Sequence, residues 1–126
     1  NLRDSAHETT VRSHINLDLG PLDSVHADFA NRSGETVERT MAPIIAGMRE
    51  GEKYMDQQAP RNEWRLTGEK GLTVTQRFDD AVLDFASLVA YPDYLNDLEM
   101  EIWAKPVSLA PHEKTVFAHE LEITRP

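Results

Sequence analysis

Five histidines are the residues to weigh first, in a chain that contains no cysteine. An imidazole moves protons near neutral pH and ligates transition metals. His7 and His14 stand seven apart around a polar opening segment and do not make a shared metal pair. His26 lies beside Val25 on what reads as a short surface helix, and His112 sits in a loop next to Glu113. His119 is the one ring on the otherwise apolar face of the last strand, where it suits either a base or ligand in a pocket or a core donor to a backbone carbonyl. No His-x-x-x-His or His-Glu-x-x-His spacing occurs, and without thiolates the sequence yields no metal-ligand set. The remaining nucleophiles are no better placed. Ser24, Ser33, Ser87 and Ser108 lack a G-x-S-x-G setting, and six glycines form neither GxGxxG nor a P-loop. Asp79-Asp80 could be an acid pair, yet a helix start accounts for both through capping and the helix dipole. The expectation is therefore no catalytic residue, no cofactor and no metal. Trp103 and Tyr94 are the aromatics that an interface or a second packed layer would use.

The elements that would position these groups follow from hydrophobic period. Val11, Ser13, Ile15, Leu17 and Leu19 alternate with Thr10, Arg12, His14, Asn16 and Asp18, which predicts a half-buried strand with one wet side. Gly20-Pro21 breaks it. Leu22, Val25, Phe29 and Ala30 predict a short amphipathic helix ended by Gly34. Val37, Met41, Ile44, Ile45, Met48 and Met55 predict a second helix, kinked or restarted at Pro43 and closed before Pro60. "EWRLTG" and "LTVTQRF" read as a hairpin. Ala81, Val82, Phe85, Leu88 and Val89 make a helical stripe stopped by Tyr91-Pro92. Leu98, Met100, Ile102 and Ala104 alternate with Glu99, Glu101, Trp103 and Lys105. Phe117, His119, Leu121 and Ile123 alternate likewise, and the two runs are expected to pair antiparallel. The predicted fold class is α+β: a mostly antiparallel sheet of about five strands, packed on one face by two or three helices. Its free face would carry Arg12, His14, Asn16, Glu99, Trp103 and Glu120.

At 126 residues the chain is expected to be one domain, residues 1–126, with residues 1–8 a polar arm. Thirteen Lys and Arg against twenty-two Asp and Glu leave a net charge of −9. That surface disfavours a phosphate backbone, so no direct nucleic-acid contact is expected. No apolar run spans a membrane, and the expected setting is soluble, in a virion or cytoplasm.

Residues 14–61 add a resemblance. Gly20, Leu22-Asp23, the stretch Ala46-Gly47-Met48-Arg49-Glu50-Gly51 and Ala59-Pro60 are similar to the opening of phage neck and tail-completion proteins, which sit at the head–tail junction. After Thr67-Gly68 the chain departs from that pattern, because no Leu-Arg follows. The resemblance implies a non-enzymatic assembly protein that makes rings with its own copies and meets other assembly proteins. "EWRLTGEKGLTVTQRF" is also similar to the core of pterin carbinolamine dehydratases, but "VAYPDYL" lacks the histidine pair their chemistry needs. Two further readings stay open. One is a small-ligand or enzymatic domain with a cavity between sheet and helices holding His119 and His14. The other is an acidic inhibitor meeting a basic partner through Glu99, Glu101, Glu120 and Glu122.

Overall fold

The computed structural model describes residues 4–94 and 96–126. Two antiparallel sheets pack face to face. The first has four strands in the order β2 (Arg12–Leu17), β9 (Asp97–Ala104), β8 (Leu83–Tyr91), β5 (Tyr54–Gln58). The second has five: β11 (His119–Thr124), β7 (Thr73–Phe78), β6 (Glu63–Thr67), β3 (His26–Ala30), β4 (Thr36–Thr40). A two-stranded ribbon joins β1 (His7–Thr9) to β10 (Val107–Leu109). One apolar cluster fills the space between the sheets, from Phe29, Trp64, Leu66 and Val74 on one side to Leu88, Leu98, Met100 and Ile102 on the other.

This is an all-β sandwich, and the expected α+β layer is wrong. The first expected helix is a single 3-10 turn, Leu22–Ser24, followed by β3, where Ala27 and Phe29 point inward and His26, Asp28 and Ala30 outward. Val25 and Phe29, four apart, satisfy both periods, Leu22 belongs to the 3-10 turn, and pairing with β4 and β6 decides for the strand. Gly34 closes the β3–β4 hairpin at φ 84° instead of capping a helix. The second expected helix divides into β4, a six-residue helix α1 (Met41–Ala46) and β5. Pro43 lies in the first turn of α1, where its missing N–H costs nothing. Met41 is fully buried, and with Leu22 it plugs one end of the sandwich. The third expected helix is β8, a nine-residue strand that is apolar on both faces and therefore hides its period of two. The β6–β7 hairpin is as expected. The last two runs do form strands, but they do not pair with each other. β9 is enclosed by β2 and β8, and β11 adds to β7. The polar arm is also corrected in part, because His7 and Glu8 belong to β1, while residues 1–3 lie outside the described residues.

The two sheets are latched at one edge by polar groups. Arg39 of β4 donates from Nε to Asp56 Oδ2 of β5 at 2.5 Å, Tyr54 Oη donates to the same oxygen at 2.8 Å, and Gln58 Nε2 donates to Oδ1. Burial opposes ionisation of Asp56, yet the bonds from Gln58, Arg39 and Tyr54 outweigh it and hold the carboxyl below its usual range. Burial, reinforced by the bond to Asp56, pushes the Tyr54 hydroxyl up to about 12. A depressed carboxyl adds stability above its unfolded value and loses it as the pH falls through the folded one. Asp56→Asn is therefore expected to cost about 1–2 kcal/mol near pH 7 and less near pH 3, in urea unfolding at the two pH values. A cost equal at both would show that the charge of Asp56 is irrelevant to the latch.

Candidate functional site

The outer face of the four-stranded sheet carries the chemistry. Along β9 the even residues Leu98, Met100 and Ile102 fill the core, so Glu99, Glu101 and Trp103 must face out. On β2 the same alternation turns Arg12, His14 and Asn16 outward, and on β8 it turns out Phe85, Ser87, Val89 and Tyr91. Register then aligns them in a row: His14 stands opposite Glu101, and Glu101 opposite Ser87. Three neighbouring strands fix this row, so its geometry follows from ladder pairing and not from loop placement.

His14 bridges the two glutamates. Its Nε2 lies 3.1 Å from Glu99 Oε1 and its Nδ1 3.4 Å from Glu101 Oε1. Glu101 also receives Arg12 Nη1 at 3.4 Å and Trp103 Nε1 at 3.2 Å, which fix its rotamer. Trp103 stacks on Phe85 with ring centroids 5.4 Å apart, and the Arg12 guanidinium lies 4.8 Å from the Trp103 centroid on its face. Arg12, His14, Glu99, Glu101 and Trp103 line an open trough of about 330 Å³, with Lys53, Gln57 and Tyr91 on its far side. Although they point away from the core, Glu99 and Glu101 are each only 8% exposed. Ser87, 2% exposed, lines the same trough, and its Oγ has no hydrogen-bond partner.

Such an arrangement sets two buried carboxylates against an exposed imidazole at the sheet surface. It suits ligand donors, a cation, or proton exchange with a bound molecule. It also has a stability consequence. An unsatisfied buried hydroxyl costs about 1–3 kcal/mol, so Ser87→Ala is expected to raise the unfolding free energy by roughly 1 kcal/mol. Loss of stability in a urea titration would mean that Ser87 Oγ has a structural partner.

The other expected candidates lie elsewhere. His119 is exposed on β11, its Nδ1 3.4 Å from Gln76 Nε2, and it shares no cavity with His14. The expected sheet–helix cavity does not form, since no helix layer covers the sheet. His7 and His26 are exposed on β1 and β3, and His112 occupies a turn at φ 62°. Asp79 Oδ1 accepts from Ala81 N–H at 2.9 Å in a tight turn, not at a helix start. The four glutamates of the inhibitor reading lie on two different sheets. Glu120 and Glu122 sit on exposed β11 near Arg77, whereas Glu99 and Glu101 are buried in the trough, so no continuous acidic face exists. A larger cavity of about 540 Å³ lies between the Gly20-Pro21 turn and the Glu69-Lys70 turn. It is walled mainly by backbone and apolar atoms, and no imidazole or buried carboxylate enters it.

Sequence reading placed Arg12, His14, Glu99 and Trp103 on one face but missed Ser87, Tyr91 and Lys53. Ser87 and Tyr91 were missed because β8 presented itself as a helix. No helix among the described residues is long and apolar enough to cross a membrane. No family model, curated protein or solved structure matches the chain.

Proposed function

We propose that this domain binds a small polar molecule, rich in hydrogen-bond donors, in the trough on the four-stranded sheet. The observation that carries this reading is the convergence of His14, Glu99 and Glu101 beside the unsatisfied hydroxyl of Ser87. Buried carboxylates and an orphan hydroxyl on an outer face are poor ways to stabilise a sandwich. They are good ways to hold a ligand that supplies the missing donors. The ligand replaces the water lost by Glu99 and Glu101, and Trp103, held in place by its stack on Phe85, gives it an aromatic wall. His14, between two carboxylates, can also pass a proton to or from what is bound. The test is a ligand-observed NMR screen of small polyols, amines and amides. Binding that Glu99→Gln weakens at least tenfold supports the reading, and a panel that binds neither protein, or binds both equally, removes it.

The resemblance to phage neck and tail-completion proteins supports a second reading, a contact-forming component that assembles with its own copies. The observation favouring it is β11, an edge strand on which Leu121 and Ile123 are 43% and 65% exposed. Apolar side chains on an unpaired edge invite another chain. Light scattering at micromolar concentration tests it. Oligomers that Ile123→Glu dissociates support assembly through β11, and a monomer at all concentrations excludes it.

A further inference from the structure

We propose that His14, Glu99 and Glu101 hold a divalent transition-metal ion, of the Mn²⁺ or Zn²⁺ kind, at the floor of the trough. The inference rests on reading the trough as a binding site and names the first group bound there.

The three side chains each offer one ligand atom, and those atoms lie within 4.8 Å of one another. Metal bonds of about 2.0–2.2 Å place neighbouring ligand atoms roughly 3 Å apart and opposite ones a little over 4 Å apart. The 3.1 Å between His14 Nε2 and Glu99 Oε1 already matches the shorter spacing. Glu101 Oε1 faces the other ring nitrogen, Nδ1, at 3.4 Å, and has to turn toward Nε2 to complete the set. One imidazole nitrogen with two carboxylate oxygens selects a borderline dication over calcium or magnesium, which prefer oxygen alone. Sequence order explains why the set forms: Glu99 and Glu101, two apart on one strand, share a face, and the β2–β9 register sets His14 opposite Glu101 and diagonal to Glu99.

One independent observation points to an occupant. Ser87 Oγ is buried, unpartnered and lines the same trough, where it can bond a water or ligand on the ion. Trp103 Nε1 and Arg12 donate to Glu101, and an ion on Nε2 draws Glu101 away from part of that contact.

The test uses the full chain, free of purification tag and treated with chelator, titrated with MnCl₂ and separately with ZnCl₂ by calorimetry. Amide spectra record where Mn²⁺ broadens signals. The expected result is one saturable site, with broadening centred on residues 12–16, 87 and 99–103. Affinity should fall at least tenfold in Glu99→Gln and in His14→Gln, while Glu122→Gln on the opposite face leaves it unchanged. Circular dichroism confirms that the near-isosteric variants are folded. Absence of a saturable site, broadening centred elsewhere, or wild-type affinity in Glu99→Gln or His14→Gln overturns the proposal. The polar panel is then repeated in chelator: if it binds there while the metals do not, the ion proposal fails and the trough remains a ligand site. If neither binds, both fail.

Discussion

Trp64→Ala is expected to cost about 4–6 kcal/mol, enough to unfold most of the protein at moderate urea. Trp64 is 2% exposed at the centre of the core, and its indole N–H donates to Gln76 Oε1 at 2.7 Å. Removing a buried Trp side chain costs about 3–5 kcal/mol in transfer and cavity terms. The variant also orphans Gln76, itself fully buried, at a further ~1–3 kcal/mol, less whatever the new cavity admits as water. Trp64→Phe separates the two contributions, because it keeps a ring but loses the donor. If the bond is what matters, the double variant Trp64→Phe, Gln76→Leu recovers stability relative to Trp64→Phe alone. Urea midpoints followed by circular dichroism decide this. A double variant weaker than both singles would show that Gln76 supports the core through another contact, such as His119.

The second large effect comes from the smallest residue. A Cβ at Gly68 would stand 2.2 Å from the Leu19 carbonyl oxygen and 2.9 Å from Leu19 Cβ. Both neighbours are close to backbone and cannot swing away. Gly68 follows β6 of one sheet and Leu19 follows β2 of the other, so the contact sits where the sheets clamp together. Gly68→Ala is therefore expected to cost about 3 kcal/mol or more, since relief requires the sheets to part locally. Gly34→Ala offers the contrast: open space surrounds it, but its φ of 84° strains any side chain. That variant is expected to cost about 1–2 kcal/mol. Thermal unfolding of the pair ranks the effects, and a Gly68 variant as stable as the Gly34 variant would mean the clamp is slack.

The strands that were legible in sequence are those with one wet face. β2, β6, β7 and β9 each show a clean period of two because one side meets solvent or charge. β8 does not: Phe85 and Val89 are apolar on the outer side because the trough walls cover them, so its letters read as a helical stripe. β3, β4 and β5 are five residues each. Over such lengths a four-residue spacing, such as Val25 to Phe29 or Val37 to Met41, satisfies a helix as well as a strand, while Met41, Ile44 and Ile45 do lie on the short helix α1. Partners across the sheet decide, and those partners are far away in sequence. The pairing of β11 with β7 is of that kind, which is why proximity in sequence wrongly joined it to β9.

The candidate site was half visible for the same reason. Alternation put His14 on the wet side of β2 and Glu99 on the same side of β9, but register is what brings imidazole and carboxylates within 3.1 to 3.4 Å. Ser87 carried no signal at all, since one hydroxyl in an apolar run is unremarkable until its burial and lack of partner are known. His119 drew attention as the odd polar group on an apolar face. That face overhangs the smaller sheet, so Leu121, Ile123 and His119 are exposed instead of enclosing a pocket.

Amide chemical-shift mapping of the strongest binder from the polar panel bears most directly on the trough as the working surface of this fold. The shifts are expected to trace one band across three strands, through residues 12–16, 87–91 and 99–103, and to vanish in the Glu99→Gln variant. Shifts centred on β11 and β7, or on the turns around Gly20 and Lys70, would place the working surface elsewhere and leave the buried carboxylates without a ligand.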